Sequence, residues 1–168
     1  MMIASPKFFD IFLQPGELHF GGQGTRIRTL LGSCIAITMW HPDLLIGGMC
    51  HYMLPSRQKG HGGKLDGRYA DEAMLLFHME IEKAGTRPEE YEVKLFGGGN
   101  MFGFVKTSRD CTDVPCRNVK AARQLLANSG YRIAAQHVGM RGHRNVIFDI
   151  RSGKVWMNHV NSVRGERE

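Results

Sequence analysis

Two short runs constrain this chain more than any others: Thr29-Leu30-Leu31-Gly32-Ser33-Cys34, and Gly47-Gly48-Met49-Cys50-His51-Tyr52-Met53-Leu54-Pro55. Between them, Ile35 to Trp40 alternates and is rich in branched and aromatic residues, as a half-buried strand should be. His41-Pro42-Asp43 supplies turn chemistry, and Leu44 to Leu54 is the return strand. The predicted hairpin carries Cys34 at its entry and His51, 17 residues later, on its exit. Antiparallel strands of this length bring such residues side by side. A thiol beside an imidazole is the minimum equipment for nucleophilic acyl chemistry.

The rest of the chain predicts a mixed pattern. Met1 to Gln14 is a partly ordered N-terminal extension, and the glycine loop at Gly21-Gly22-Gln23-Gly24 precedes a first core strand over Arg26 to Leu31. Ser56 to Arg68 is glycine-rich, cationic and aperiodic, the composition of a flexible surface loop. Ala70, Met74, Phe77, Ile81 and Ala84 recur at helical steps, with Asp71 and Glu72 near the start and Lys83 near the end to suit the helix dipole. Val119, Ala122 and Leu126 mark a second helix, closed by Asn128-Ser129-Gly130. Strands follow at Glu92 to Phe96, Tyr131 to Val138, Asn145 to Ile150 and Val155 to Val160, the last two joined as a hairpin by Arg151-Ser152-Gly153. Gly97-Gly98-Gly99 lacks the endings of a phosphate-binding loop, and it predicts a tight bend with Met101 and Phe102 plugging a core or lining a pocket. Hairpins with two main helices favour one α+β domain over residues 1–168, with 161–168 a frayed tail, rather than a doubly wound parallel sheet.

Composition narrows the function classes. At 168 residues and 42% hydrophobic content, one core is affordable, and no run approaches the roughly 20 apolar residues of a spanning helix, so membrane insertion is not expected. The stretch Met1 to His19 lacks a secretory layout, which predicts a cytoplasmic protein. The net charge of +6 suits an acidic partner. Its cations are scattered and no base-reading motif accompanies them, so nucleic acid is not the expected ligand. Four cysteines (Cys34, Cys50, Cys111 and Cys116) are expected to stay reduced in such a compartment. Cys111 and Cys116 have zinc-like spacing, but no second close Cys/His pair completes a tetrahedral set, so no metal is expected. Cys50, Cys111 and Cys116 then read as small buried hydrophobes.

Cys34 becomes a useful nucleophile if an imidazole, a cation or a helix N-terminus activates it; otherwise it is a buried structural cysteine at a strand start. The N–H groups around Gly32 and Ser33 suit a developing oxyanion. His51 has three readings: general base, satisfied core histidine, or metal ligand. Cys50 and His51 must point to opposite faces of their strand, so only one can face Cys34, and the base has the better chemical claim. A third group should orient the imidazole. Thr29 is the choice, with Ser33, His41 and Asp43 also near in sequence.

These motifs resemble the chemoreceptor glutamine deamidases, the CheD family. The resemblance is carried by Leu31-Gly32-Ser33-Cys34-Ile35-Ala36, Ile46 to Met49 running into His51 and Met53-Leu54-Pro55, and Tyr69-Ala70-Asp71. Phe96 to Gly99 with Met101-Phe102, and Arg117-Asn118-Val119 opening the second helix, extend it from about Gly16 to about Val155. It implies a β-sandwich-like layered core flanked by helices. It also implies hydrolysis of glutamine side-chain amides in methyl-accepting chemotaxis receptors, with Cys34 as nucleophile, His51 as base, Thr29 in support and no cofactor. The alternative it carries is a regulatory partner of a CheC-type chemotaxis phosphatase. A thiol hydrolase of small amides or esters is a third reading, separated by whether the surface around Cys34 is open or a deep pocket.

Overall fold

A computed structural model describes residues 7–58, 62–102 and 110–161. Its elements are β1 (Phe9–Leu13), β2 (Leu18–Gly21), β3 (Thr25–Leu31), β4 (Ile35–His41), β5 (Ile46–Tyr52), α1 (Ala70–Lys83), β6 (Glu92–Gly97), α2 (Val114–Asn128), β7 (Ile133–Val138), β8 (His143–Asp149) and β9 (Val155–Val160). The strands form a four-stranded sheet ordered β1-β3-β8-β9 and a five-stranded sheet ordered β2-β5-β4-β6-β7. The architecture is the layered α+β fold that the sequence predicts.

Alternation in the strands separates the layers. Along β3, Thr25, Ile27, Thr29 and Leu31 are buried while Arg28 and Leu30 are exposed. This sheet therefore turns one face inward and one to solvent. The central strand β4 is covered on both sides. Ile35, Ile37 and Met39 join a core with Phe77 and Ile81 of α1 and Val119, Ala122 and Leu126 of α2, whereas Ala36 packs with Leu31, Met49, Phe96, Val146 and Phe148. Both helices thus cover one face of the five-stranded sheet, and the four-stranded sheet covers the other. The predicted hairpin is β4–β5, with Ala36 opposite His51 and Ile35 opposite Tyr52.

Several expectations need correction. Met1 to Gln14 is no loose entry throughout. Residues 1–6 lie outside the described residues, but Phe9–Leu13 pairs in parallel with β3, with Leu13 opposite Thr29. Leu18–Gly21 adds a further strand at the edge beside β5. Cys111 and Cys116 are joined as a disulfide rather than sitting apart as reduced, buried thiols. The pair flanks the start of α2, where the Asp113 carboxylate accepts from the Cys116 N–H as N-cap. That cap starts α2 at Val114, ahead of the expected opening at Arg117. The Ser56–Arg68 stretch, expected to be flexible, is tied down where it is described. Arg57 grips the buried Glu72 carboxylate with two bonds of 2.6 and 2.8 Å, and Arg68 pairs with Asp66 at 2.6 Å. The expected tail, 161–168, lies outside the described residues from 162 onward.

The inter-sheet core sets the register of everything on its two faces. Phe148→Ala opens a cavity in it, and denaturant unfolding should show a loss of about 3–5 kcal/mol. A loss below about 1 kcal/mol would mean that this layer contributes little to stability.

Candidate active site

The site lies where the β3–β4 turn meets the end of β5. Cys34 immediately precedes β4 and is half-buried against the inter-sheet core. On β5, Cys50 faces the helices and is fully buried, so His51 points the other way, into the layer between the sheets. The strand period predicted that only one of the two could face Cys34; His51 is the one that lines a depression with it. Cys34 and His51 line one open depression of about 420 Å³, together with Ser33, Leu30, Met101 and His143. A larger depression, about 850 Å³, lies beyond Gly98 between α2 and the end of β7 and shares no lining residue with it.

Thr29 reaches His51 from the opposite sheet. Its Oγ1 lies 2.7 Å from His51 Nδ1 and 3.0 Å from the Leu13 carbonyl oxygen. The hydroxyl has one proton and the carbonyl can only accept, so Thr29 donates to Leu13. It must then accept from His51, which puts the imidazole proton on Nδ1. The lone pair is left on Nε2, which is buried with no hydrogen-bond partner among the described residues. Of the other candidates for this place, His41 Nδ1 accepts from the Leu44 N–H in the β4–β5 turn and Asp43 is exposed in the same turn. Neither is held against His51.

Burial governs the charge states. It pushes the Cys34 thiol up, offset in part by a hydrogen bond to the Ser33 side chain. It pulls the His51 imidazole down to about 4, with the Glu17 carboxylate acting weakly in the opposite sense. At neutral pH the resting pair is therefore thiol and neutral imidazole. The His51 backbone is fixed as well: its carbonyl accepts from Gly16 at 2.7 Å and its N–H donates to Glu17 at 3.1 Å.

The turn carrying Cys34 is braced from behind by the glycine run, whose predicted tight bend is present. Gly98 N–H donates to the Cys34 carbonyl and Gly99 N–H to the Gly32 carbonyl, each at 2.9 Å. A Cβ at Gly97 would sit 2.1 Å from the Cys34 carbonyl oxygen at a φ of +115°, so only glycine fits. The backbone N–H groups of Gly32, Ser33 and Cys34 donate to no group among the described residues. Met101 lines the site as expected, whereas Phe102 is 80% exposed and plugs no core.

Asn118 was not legible as a site residue. Fully buried on α2, it donates from Nδ2 to the Ser33 carbonyl at 3.1 Å and to the Met53 carbonyl at 2.8 Å, tying the cysteine turn to the end of β5. Its backbone carbonyl accepts from the Tyr52 hydroxyl. A polar residue between helical core positions was the available signal. Among the described residues no group of three or more histidine, cysteine or acidic side chains stands together as a metal site.

The chain matches the family model described as CheD chemotactic sensory transduction over residues 53–159. It is 48% identical to "Probable chemoreceptor glutamine deamidase CheD 3" of Dechloromonas aromatica over 157 residues, covering 94% of this chain and 91% of that one. It is 51% identical to a CheD of the same description from Pseudomonas savastanoi over 150 residues, covering 89% and 84%. A more distant relative, "Probable chemoreceptor glutamine deamidase CheD 1" of Leptospira interrogans, is 34% identical over 163 residues, covering 94% and 96%.

Two outcomes test the site's geometry. Because burial depresses His51, the unfolded chain binds its proton first on acidification. Stability should fall as pH drops below about 6.5 and level off near 4, by up to about 3 kcal/mol, and His51→Gln should remove that component. Thr29→Val should cost about 1–3 kcal/mol by stranding a buried N–H, and nitrogen NMR should show the Nδ1–H tautomer replaced by a mixture. An Nε2–H tautomer in the wild type would refute the assigned proton position, and an unchanged tautomer in Thr29→Val would refute its control by Thr29. With the family model matched over residues 53–159 and relatives 48–51% identical over 89–94% of the chain, the chain belongs to the CheD family.

Proposed function

We propose that the protein is a protein-glutamine deamidase acting on methyl-accepting chemotaxis receptors, converting glutamine side chains to glutamate and releasing ammonia. The observation that carries this reading is the buried, unpartnered Nε2 of His51, its ring oriented by Thr29, on a residue that lines the same depression as Cys34. Relatives of high identity, named as chemoreceptor glutamine deamidases, support the substrate class.

The chemistry follows from the charge states. As the substrate carboxamide seats, Nε2 takes the thiol proton and the Cys34 sulfur attacks the amide carbon, forming a tetrahedral oxyanion. The N–H groups of the Gly32-Ser33-Cys34 turn, without acceptors among the described residues, take up that negative charge in this reading. The imidazolium returns its proton to the departing nitrogen, the C–N bond breaks, and ammonia leaves a thioester on Cys34. Water then gives a proton to Nε2 and its oxygen to the acyl carbon, freeing glutamate and the thiol. Throughout, the Thr29 hydroxyl accepts from Nδ1 and holds the ring in one orientation. These steps use the chain's own groups and water, with no metal or organic cofactor.

An open depression favours a side chain offered on a protein over a small amide enclosed in a pocket. Exposed Leu30 and Met101 on its wall and exposed Leu54 just past β5 provide apolar surface for a protein substrate. The net charge of +6 favours an acidic substrate. No helix among the described residues is long and apolar enough to cross a membrane.

Purified protein mixed with a glutamine-bearing receptor cytoplasmic fragment should generate glutamate at particular positions, mapped by peptide mass spectrometry. Cys34→Ala should abolish conversion and His51→Ala should slow it by about 100-fold or more. Between about pH 5.5 and 8.5, kcat/KM should be flat, since His51 is already neutral there and the thiol still protonated. A rate that climbs steeply between pH 6 and 7 would contradict the neutral pair. No conversion by the native protein, together with a stable complex with a CheC-type phosphatase, would support the regulatory-partner reading instead.

A further inference from the structure

Arg144 is fully buried although it carries a charge, and no carboxylate pairs with it among the described residues. It stands on β8 opposite Leu31, with its side chain on the inward face beside Val146 and Phe148. From the four-stranded sheet it crosses to the other sheet. There Nε donates to His137 Nδ1 at 2.9 Å, one terminal nitrogen to the Gly97 carbonyl at 3.2 Å, and the other to the Gly139 carbonyl at 2.6 Å. All three acceptors are neutral. Burying a charge against neutral acceptors carries a desolvation cost that an apolar side chain of similar size would avoid. A chain that keeps such a group at this place has a use for its geometry.

What the guanidinium grips is the support of the nucleophile. Gly97 ends β6 opposite Ile35, and Gly98 and Gly99 hold the carbonyls of Cys34 and Gly32. The space a Gly99 Cβ would fill lies 3.4 Å from an Arg144 terminal nitrogen and 3.3 Å from the Gly32 carbonyl oxygen. The Gly97 carbonyl also accepts from the Gly139 N–H at 3.0 Å, so Arg144 locks two loops together at a single point. The planar fork suits this task, because its donors leave in fixed directions toward three separate acceptors. Lysine has a shorter set of donors around one atom and cannot reach all three.

We propose that Arg144 is a positioning residue for the reaction, holding the Gly97–Gly99 turn and, through it, the Cys34 thiol and the N–H groups beside it in attacking geometry. This rests on Cys34 as the nucleophile. Arg144 touches neither the thiol nor the substrate; it acts through the turn.

The test compares wild type with Arg144→Met and Arg144→Lys on the full chain. Three quantities are read: kcat and KM on the receptor fragment, the thermal midpoint, and the rate of Cys34 alkylation by iodoacetamide, followed at the Cys34 peptide. Arg144→Met should lower kcat by about ten- to a hundredfold with KM within about twofold, while the thermal midpoint holds or rises as the buried charge is removed. Cys34 alkylation should change in the same variant, and Arg144→Lys, with fewer of the bonds, should fall between. A kcat unchanged in folded Arg144→Met, or lowered only in step with the folded fraction, would overturn the proposal. Should the methionine variant not fold, Arg144→Lys decides: wild-type kcat and alkylation in it would also overturn the proposal. If native protein deamidates no receptor, the functional reading fails, yet the alkylation arm still tests Arg144.

Discussion

One hydroxyl joins the two sheets at the point where chemistry is proposed. Thr29 from the outer sheet accepts from His51 of the central sheet and donates to Leu13 of the neighbouring edge strand. Three separate backbone segments must be in register for that oxygen to have both partners. A slip of one residue in β3 would turn Thr29 outward and present Arg28 to the layer instead. The inter-sheet core keeps the register, and the hydrogen bond converts it into a single imidazole tautomer. Packing in this molecule is thereby translated directly into the position of a proton.

The same dry layer explains why the pair rests uncharged. Removing water disfavours both the thiolate and the imidazolium, so neither forms until a substrate brings a developing charge of its own. Precision is supplied from behind. Asn118 ties the cysteine turn to the exit of β5, the glycine bend braces its carbonyls, and Arg144 locks that bend. These supports come from α2, β6 and β8, each arriving from a different part of the chain. The proposed nucleophile, on a turn of three small residues, is held steady by polar contacts to its backbone.

Much of this was legible in the sequence, for identifiable reasons. The β4–β5 hairpin announced itself by alternation and turn residues, and the period-two rule assigned His51 and Cys50 to opposite faces. Both helices were visible through their apolar spacing. The first two strands were not. Phe9–Leu13 is an exposed edge interrupted by Asp10, and Leu18–Gly21 is half-buried along its whole length, so neither offers a contrast to read. The disulfide escaped because compartment reasoning favours free thiols, and only three-dimensional proximity joins Cys111 to Cys116. Asn118 and Arg144 escaped because most of their partners are backbone carbonyls, which no side-chain motif reveals. Thr29 could be chosen only as a nearby hydroxyl; its double hydrogen bond depends on a strand that the sequence did not disclose.

The central claim is a covalent one, and trapping the intermediate tests it most directly. A reaction between the protein and a glutamine-bearing receptor fragment, quenched in acid during turnover, would be digested and examined by mass spectrometry. The account predicts a thioester between the Cys34 sulfur and the former glutamine side chain, its mass that of the two peptides less one ammonia. It predicts that Thr29→Val lowers the rate at which this species forms. Glutamate appearing at undiminished rate in Cys34→Ala, with no adduct on Cys34 in the native protein, would contradict it.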